Sequence, residues 1–150
     1  MGKQNLVMKN NAVLDTADNL EMAYQRIEDE LGIPVLEVEH LLDGMEFASL
    51  SLERNIAIIE FQYGNKYIYL REEKKLISKE ASKSKLSDRI STFQIHSKLL
   101  NKNIMIEKNM LQDNLVEYSA QIEENDAEYY LSGMVNEEEI LTILEGLMFR

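Results

Sequence analysis

A period of two on either side of a tight turn constrains this chain more than any other feature. The segment "NIAIIEFQYGNKYIYLRE", Asn55 to Glu72, reads with a two-residue period about Gly64-Asn65. A period of two sends successive side chains to opposite faces, and a two-residue Gly-Asn connection makes a hairpin. With Tyr63 opposite Lys66, Phe61 meets Ile68 and Ile59 meets Leu70 on one face. On the other face Gln62 meets Tyr67 and Glu60 meets Tyr69. One apolar face and one mixed face predict an antiparallel sheet covered on a single side. A second hairpin reads out of "LVEYSAQIEENDAEYYLSGMV". Turning at Asn125-Asp126, it sets Ile122 against Tyr129 and Ala120 against Leu131, and leaves Glu123 opposite Glu128, a like-charge pair expected in water. "MEFASLSLE", "ISTFQIHSKLL" and "NIMIEKNM" supply further strands, the last two joined near Asn101-Lys102-Asn103.

Helical periodicity brackets these strands. Leu20, Ala23 and Tyr24, Ile27 and Leu31 share one face, with Asp15 or Thr16 as the expected N-cap. Gly32 supplies a left-handed stop and Pro34 forbids continuation. Near the other end, "NEEEILTILEGL" opens with Asn136 as N-cap and Glu139 closing a capping box, while Val135 is placed to staple onto Ile140. Glu137, Glu138 and Glu139 fall in the first turn, where the helix dipole favours carboxylates, so they read as the start of a helix. Ile140, Ile143, Leu144 and Leu147 form its apolar stripe. The expected fold is α+β: an N-terminal helix, a curved antiparallel meander sheet of about six or seven strands, and a C-terminal helix packed on the sheet. Residues 1–15 read as a flexible lead-in, 16–150 as a single domain, and 72–89, rich in Lys and Ser, as a basic loop excursion.

Charge and composition narrow the function. The formal net charge is −11 over 150 residues. Residues 71–109 run against that trend, with 10 basic and 5 acidic side chains for a sum of +5. An acidic body of this kind argues against nucleic acid as a partner, because phosphate contacts need clustered Lys and Arg. The basic stretch, with Lys74, Lys75, Lys79, Lys83 and Lys85, is a candidate contact for an anionic surface. The absence of cysteine excludes disulfides, thiolate catalysis and Cys-ligated zinc. No apolar run approaches the roughly 18 residues of a membrane helix.

No constellation in the sequence carries catalysis. The two histidines, His40 and His96, belong to no metal-binding spacing. A Glu37/Glu39/His40 site fails in an extended strand, which points Glu39 and His40 to opposite faces. Neither a phosphate-binding loop nor a nucleophile elbow occurs. The expectation is therefore no catalytic residue, no metal and no cofactor. What remains is the mixed face of the first hairpin, Tyr67, Tyr69, Gln62 and Glu60, as a surface for a ligand or partner.

"RIEDELGIPVL", the first hairpin, and above all "YYLSGMVNEEEILTILEGL" resemble a family of uncharacterised extracytoplasmic domains of Gram-positive bacteria. In that family a Tyr-x-Leu-x-Gly strand end leads to a Glu-Glu helix start; here Tyr129 or Tyr130, Leu131, Gly133, Glu137 and Glu138 occupy those places. The likeness spans roughly residues 16–149. It implies a curved sheet with helices against it, similar to lipoprotein-carrier folds, and a domain tethered outside the membrane by an upstream helix, sometimes within anti-sigma-factor-like proteins. It carries no catalytic residues. The functional expectation is a non-enzymatic extracytoplasmic binding or sensory domain, tethered in the full-length protein, or cytoplasmic if Met1 is the native start. The partner is an unknown protein or apolar ligand, with membrane contact only through an upstream anchor. Two rival expectations are a carrier of an acyl or other apolar ligand between sheet and helices, and a carboxylate-based hydrolase. The first requires an apolar cavity and the second a buried acid pair.

Overall fold

The computed structural model describes residues 14–15, 17–75 and 90–150. The chain adopts the expected α+β class, with a helix before and after an antiparallel sheet. In chain order the elements are β1 (Leu14–Asp15), α1 (Leu20–Leu31), β2 (Leu36–Val38), β3 (Met45–Glu53), β4 (Ile56–Tyr63), β5 (Lys66–Lys74), β6 (Ile90–Ser97), β7 (Lys102–Met110), β8 (Val116–Glu124), β9 (Ala127–Gly133), α2 (Glu137–Glu145) and β10 (Leu147–Phe149). Seven long strands and the two-residue β1 make one sheet in the order β1-β3-β4-β5-β9-β8-β7-β6. Two meanders, β3–β5 and β6–β9, therefore meet where β9 returns alongside β5.

Both hairpins adopt the registers expected from alternation. Tyr63 pairs with Lys66, Ile59 with Leu70, Ile122 with Tyr129, and Ala120 with Leu131. Gly64 has φ 64° and Asn65 stays at negative φ, as a type II′ turn demands. Three rows cross the covered face: Ala57, Glu72, Tyr129, Ile122; Ile59, Leu70, Leu131, Ala120; and Phe61, Ile68, Gly133, Tyr118. All twelve are buried. Gly133 suits its place by size, since a Cβ there would meet Ile68 at 3.0 Å.

Over this face lie α1, α2 and a small sheet of β2 paired with β10. Helix α1 packs Ala23, Tyr24 and Ile27 inward against β3 and β4. It ends at Gly32, φ 65°, whose N–H bonds Glu28 O. Helix α2 begins with the anticipated capping box: Asn136 accepts from Glu139 N at 2.8 Å, and Glu139 Oε1 accepts from Asn136 N at 2.8 Å. Val135 and Ile140 are both buried at its start.

Three boundaries differ from the sequence expectation. The cap of α1 is Asn19, not Asp15 or Thr16; its side chain accepts from Met22 N at 2.9 Å. Asp15 instead pairs with Leu50 in the sheet, so the last two residues of the expected lead-in are strand. The expected loop from 72 begins later, because β5 continues through Lys74, held by pairing with Ala127. Strands β2 and β10 are too short for alternation to reveal, and they form because each fills the other's hydrogen bonds.

Candidate functional site

The uncovered face of the sheet presents the residues singled out from the sequence. Tyr67 and Tyr69 are 45% and 39% exposed, which places them among the exposed large hydrophobic residues of those described. Their rings stack at 6.5 Å between centroids and 25° between planes. Gln62 lies opposite Tyr67 and Glu60 opposite Tyr69, as the hairpin register requires. From Tyr69 the row continues across the sheet through Ser132 and Ser119 to Glu107. The adjacent row runs Arg71, Tyr130, Gln121, Met105. Arg71 sits 5.7 Å from the Tyr130 ring and 3.1 Å from Glu73. The Tyr130 hydroxyl donates to Glu128 at 2.6 Å. Burial, reinforced by that carboxylate, pushes the phenol up to about 12. Met105, Glu107, Ser119, Gln121 and Tyr130 line a shallow cleft of about 200 Å³ in this face. The surface is a paired sheet, aromatic in patches, with Gln62, Ser119, Gln121 and Ser132 as neutral hydrogen-bonding groups.

A second cleft, of about 480 Å³, opens where α2 starts beside the sheet. Lys66 and Lys108 stand at it together with Leu115, Met134 and Val135. Leu115 is half exposed and Met134 is 39% exposed.

The candidate basic contact is only partly described. Lys79, Lys83 and Lys85 lie outside the described residues. Lys74 belongs to β5, and Lys75 reaches the second hairpin, with its ammonium 3.8 Å from both Glu123 and Glu128. That ammonium eases the like-charge pair read from the sequence.

The covered face holds a residue that the sequence reading passed over. Glu72 is fully buried between Ala57 and Tyr129. One carboxyl oxygen accepts from Leu36 N at a long 3.4 Å, and the other has no partner. Burial pushes this carboxyl up to about 8, while the Leu36 N–H pulls weakly the other way. Two tyrosines flank the same segment of chain. Tyr129 donates to Pro34 O at 2.5 Å, and Tyr24 accepts from Val38 N at 2.8 Å. Burial raises both phenols above their ordinary value. The signal for Glu72 was available: extending the first hairpin's register sets it opposite Ala57, on the apolar face. Its place at the head of the Lys- and Ser-rich stretch reads instead as loop.

These groups form no acid pair. Glu72 and Ser97 are the buried polar residues among those described, so Glu72 has no second buried carboxylate. Glu37, from the rejected metal trio, lies 3.0 Å from Arg150, and the His40 ring packs on Gly146. No group of three or more acidic or histidine side chains among the described residues is arranged around a common point for a metal. None of the described helices is long and apolar enough to cross a membrane.

No curated protein and no solved structure matches the chain. A family does match, over residues 35–147, which takes in every strand from β2 to β9, both clefts, the tyrosine face and Glu72. The chain belongs to the family described as Domain of unknown function (DUF4367).

Proposed function

We propose that this domain is a non-enzymatic binding or sensory module, held outside the membrane in the full-length protein, and that the uncovered sheet face receives its partner. The observation that carries the reading is the stacked Tyr67–Tyr69 pair, left in solvent by a fold that buries Tyr24, Tyr118 and Tyr129. Aromatic side chains fixed on a strand offer contact area at little entropic cost. Gln62, Glu60, Ser132 and Ser119 beside them supply directional hydrogen bonds. The extracytoplasmic location rests on the sequence resemblance alone.

The test is native mass spectrometry after incubation with lipid and wall-polymer extract from the cells that make the protein. A discrete added mass that disappears in the Tyr67→Ala/Tyr69→Ala double variant supports the reading. An added mass that the double variant retains removes the tyrosine face from consideration. A second reading, carriage of an acyl or other apolar ligand, is favoured by the cleft beside α2, where Leu115 and Met134 are exposed near Lys66 and Lys108. It expects the added mass to be a lipid and to be lost on Met134→Glu instead.

A further inference from the structure

The sheet ends at β6, and that edge is unlike the rest of the molecule. All eight residues of β6 pair with β7 on one side, and among the described residues no strand pairs with the other. Among the described residues, roughly 25 Å of edge is thus left with unpaired backbone groups. Proteins usually blunt such edges with charge, proline or brevity. The opposite edge follows that pattern, with a two-residue β1 that contains Asp15, over a β3 that carries Glu46 and Glu53. Strand β6 reads "ISTFQIHS" and follows none of it. It alone among the eight strands of the sheet has no Asp, Glu, Lys or Arg.

Two further facts indicate what fits there. The chain carries −11, so copies repel each other except where a surface is neutral. On the covered face, Ile95 and Phe93 stand in register with the buried Ile104 and Ile106, yet are themselves only half buried. They pack at the margin of the core and keep part of their surface exposed among the described residues. Just past the strand, Leu99 is 54% exposed.

We infer that β6 is a self-association edge, at which a second copy of this chain adds its own β6 in antiparallel pairing about a two-fold axis normal to the sheet. The sequence is self-complementary in that arrangement. Centred on Gln94, each Phe93 stands beside the partner's Ile95 on the covered face, and each Thr92 beside the partner's His96 on the open face. Such isologous pairing closes at two copies. It joins the two sheets into one and turns both tyrosine faces the same way. Nine strand spacings separate the two Tyr67–Tyr69 pairs, roughly 40 Å along the sheet. A single strand pair buries little area, so the association is weak and concentration-dependent.

Sedimentation velocity on the full chain, up to about 1 mM, reads this directly. The expected result is a monomer–dimer equilibrium whose dissociation constant rises at least about tenfold in Gln94→Lys and in Gln94→Pro. Circular dichroism shows whether the two variants still fold. The absence of native cysteine provides a check that needs neither variant. Under mild oxidation Gln94→Cys should form a disulfide-linked dimer and Gln62→Cys, on β4, should not. A protein monomeric across the whole range overturns the inference, as does a dimer that both folded Gln94 variants leave unweakened. So does a Gln94→Cys protein that crosslinks no faster than Gln62→Cys.

Discussion

Strand β5 has two sides, and they ask opposite things of similar residues. Outward it shows Tyr67, Tyr69 and Arg71; inward it shows Ile68, Leu70 and Glu72. Outward tyrosines touch each other and water, whereas two inward tyrosines of neighbouring elements, Tyr24 and Tyr129, have their hydroxyls tied to backbone groups of residues 34–38. Outward carboxylates such as Glu73 find a guanidinium at 3.1 Å, while the inward one, Glu72, finds a single long contact. The difference separates residues that hold the fold from residues that the fold displays. Burying a polar group costs free energy unless a partner is provided, so the covered side should be sensitive to every change and the open side tolerant.

The largest expected effect is at Tyr129. It is fully buried, meets Phe149 edge-on at 5.4 Å, and satisfies the Pro34 carbonyl. Tyr129→Ala removes a large ring and leaves that carbonyl unpaired, for a loss of about 3–5 kcal/mol. For a chain of this length that is a fall in Tm on the order of 10 °C or more. Thermal unfolding measures it, and a fall of only a degree or two would mean that the covered side is not the cohesive one.

Glu72 gives a second, pH-resolved way to sharpen the contrast. Burial raises its carboxyl from 4.5 to about 8 in the folded protein. Between those values the folded chain keeps a proton that the unfolded chain gives up. The stability tied to that proton is fully present below about pH 4.5 and is lost as pH rises through about 8. The groups facing the carboxyl, Tyr24 from α1 and Tyr129 from β9, are phenols that stay neutral over this window. Denaturant unfolding of wild type and Glu72→Gln across the window isolates the effect. Relative to the variant, wild type should lose on the order of 3 kcal/mol. Parallel pH profiles for the two proteins would show that the carboxyl reaches solvent.

How far the sequence revealed all this depended on the range over which each signal acts. The hairpin registers, the capping box at Asn136 and the stop at Gly32 are local, set by neighbours within a few residues, and they were legible. The tyrosine face was legible for the same reason, because alternation assigns faces. Strands β2 and β10 were not, since each is three residues long and exists only because distant chain brings the other beside it. The return of β9 to β5 is likewise non-local. Glu72 falls between these cases: its face was readable, but its charge signalled loop, and only the covering segment around Leu36 reveals that a carboxyl was placed in the core.

The smallest expected effect bears on the proposed use of the open side. Tyr67→Ala and Tyr69→Ala remove stacked rings that stand largely in solvent, so each should change stability by no more than about 0.5 kcal/mol. Two exposed aromatics contribute little to a fold that has its covered face packed without them. The proposed function would give their presence on a central strand its explanation in a partner outside the chain. Chemical denaturation of the single and double variants checks this before any ligand is known. A double variant that loses several kcal/mol would turn Tyr67 and Tyr69 into structural residues, and the contrast between the two sides of β5 would dissolve. A double variant as stable as wild type leaves the open face with exposed apolar area that the fold does not need, as the proposed binding surface requires.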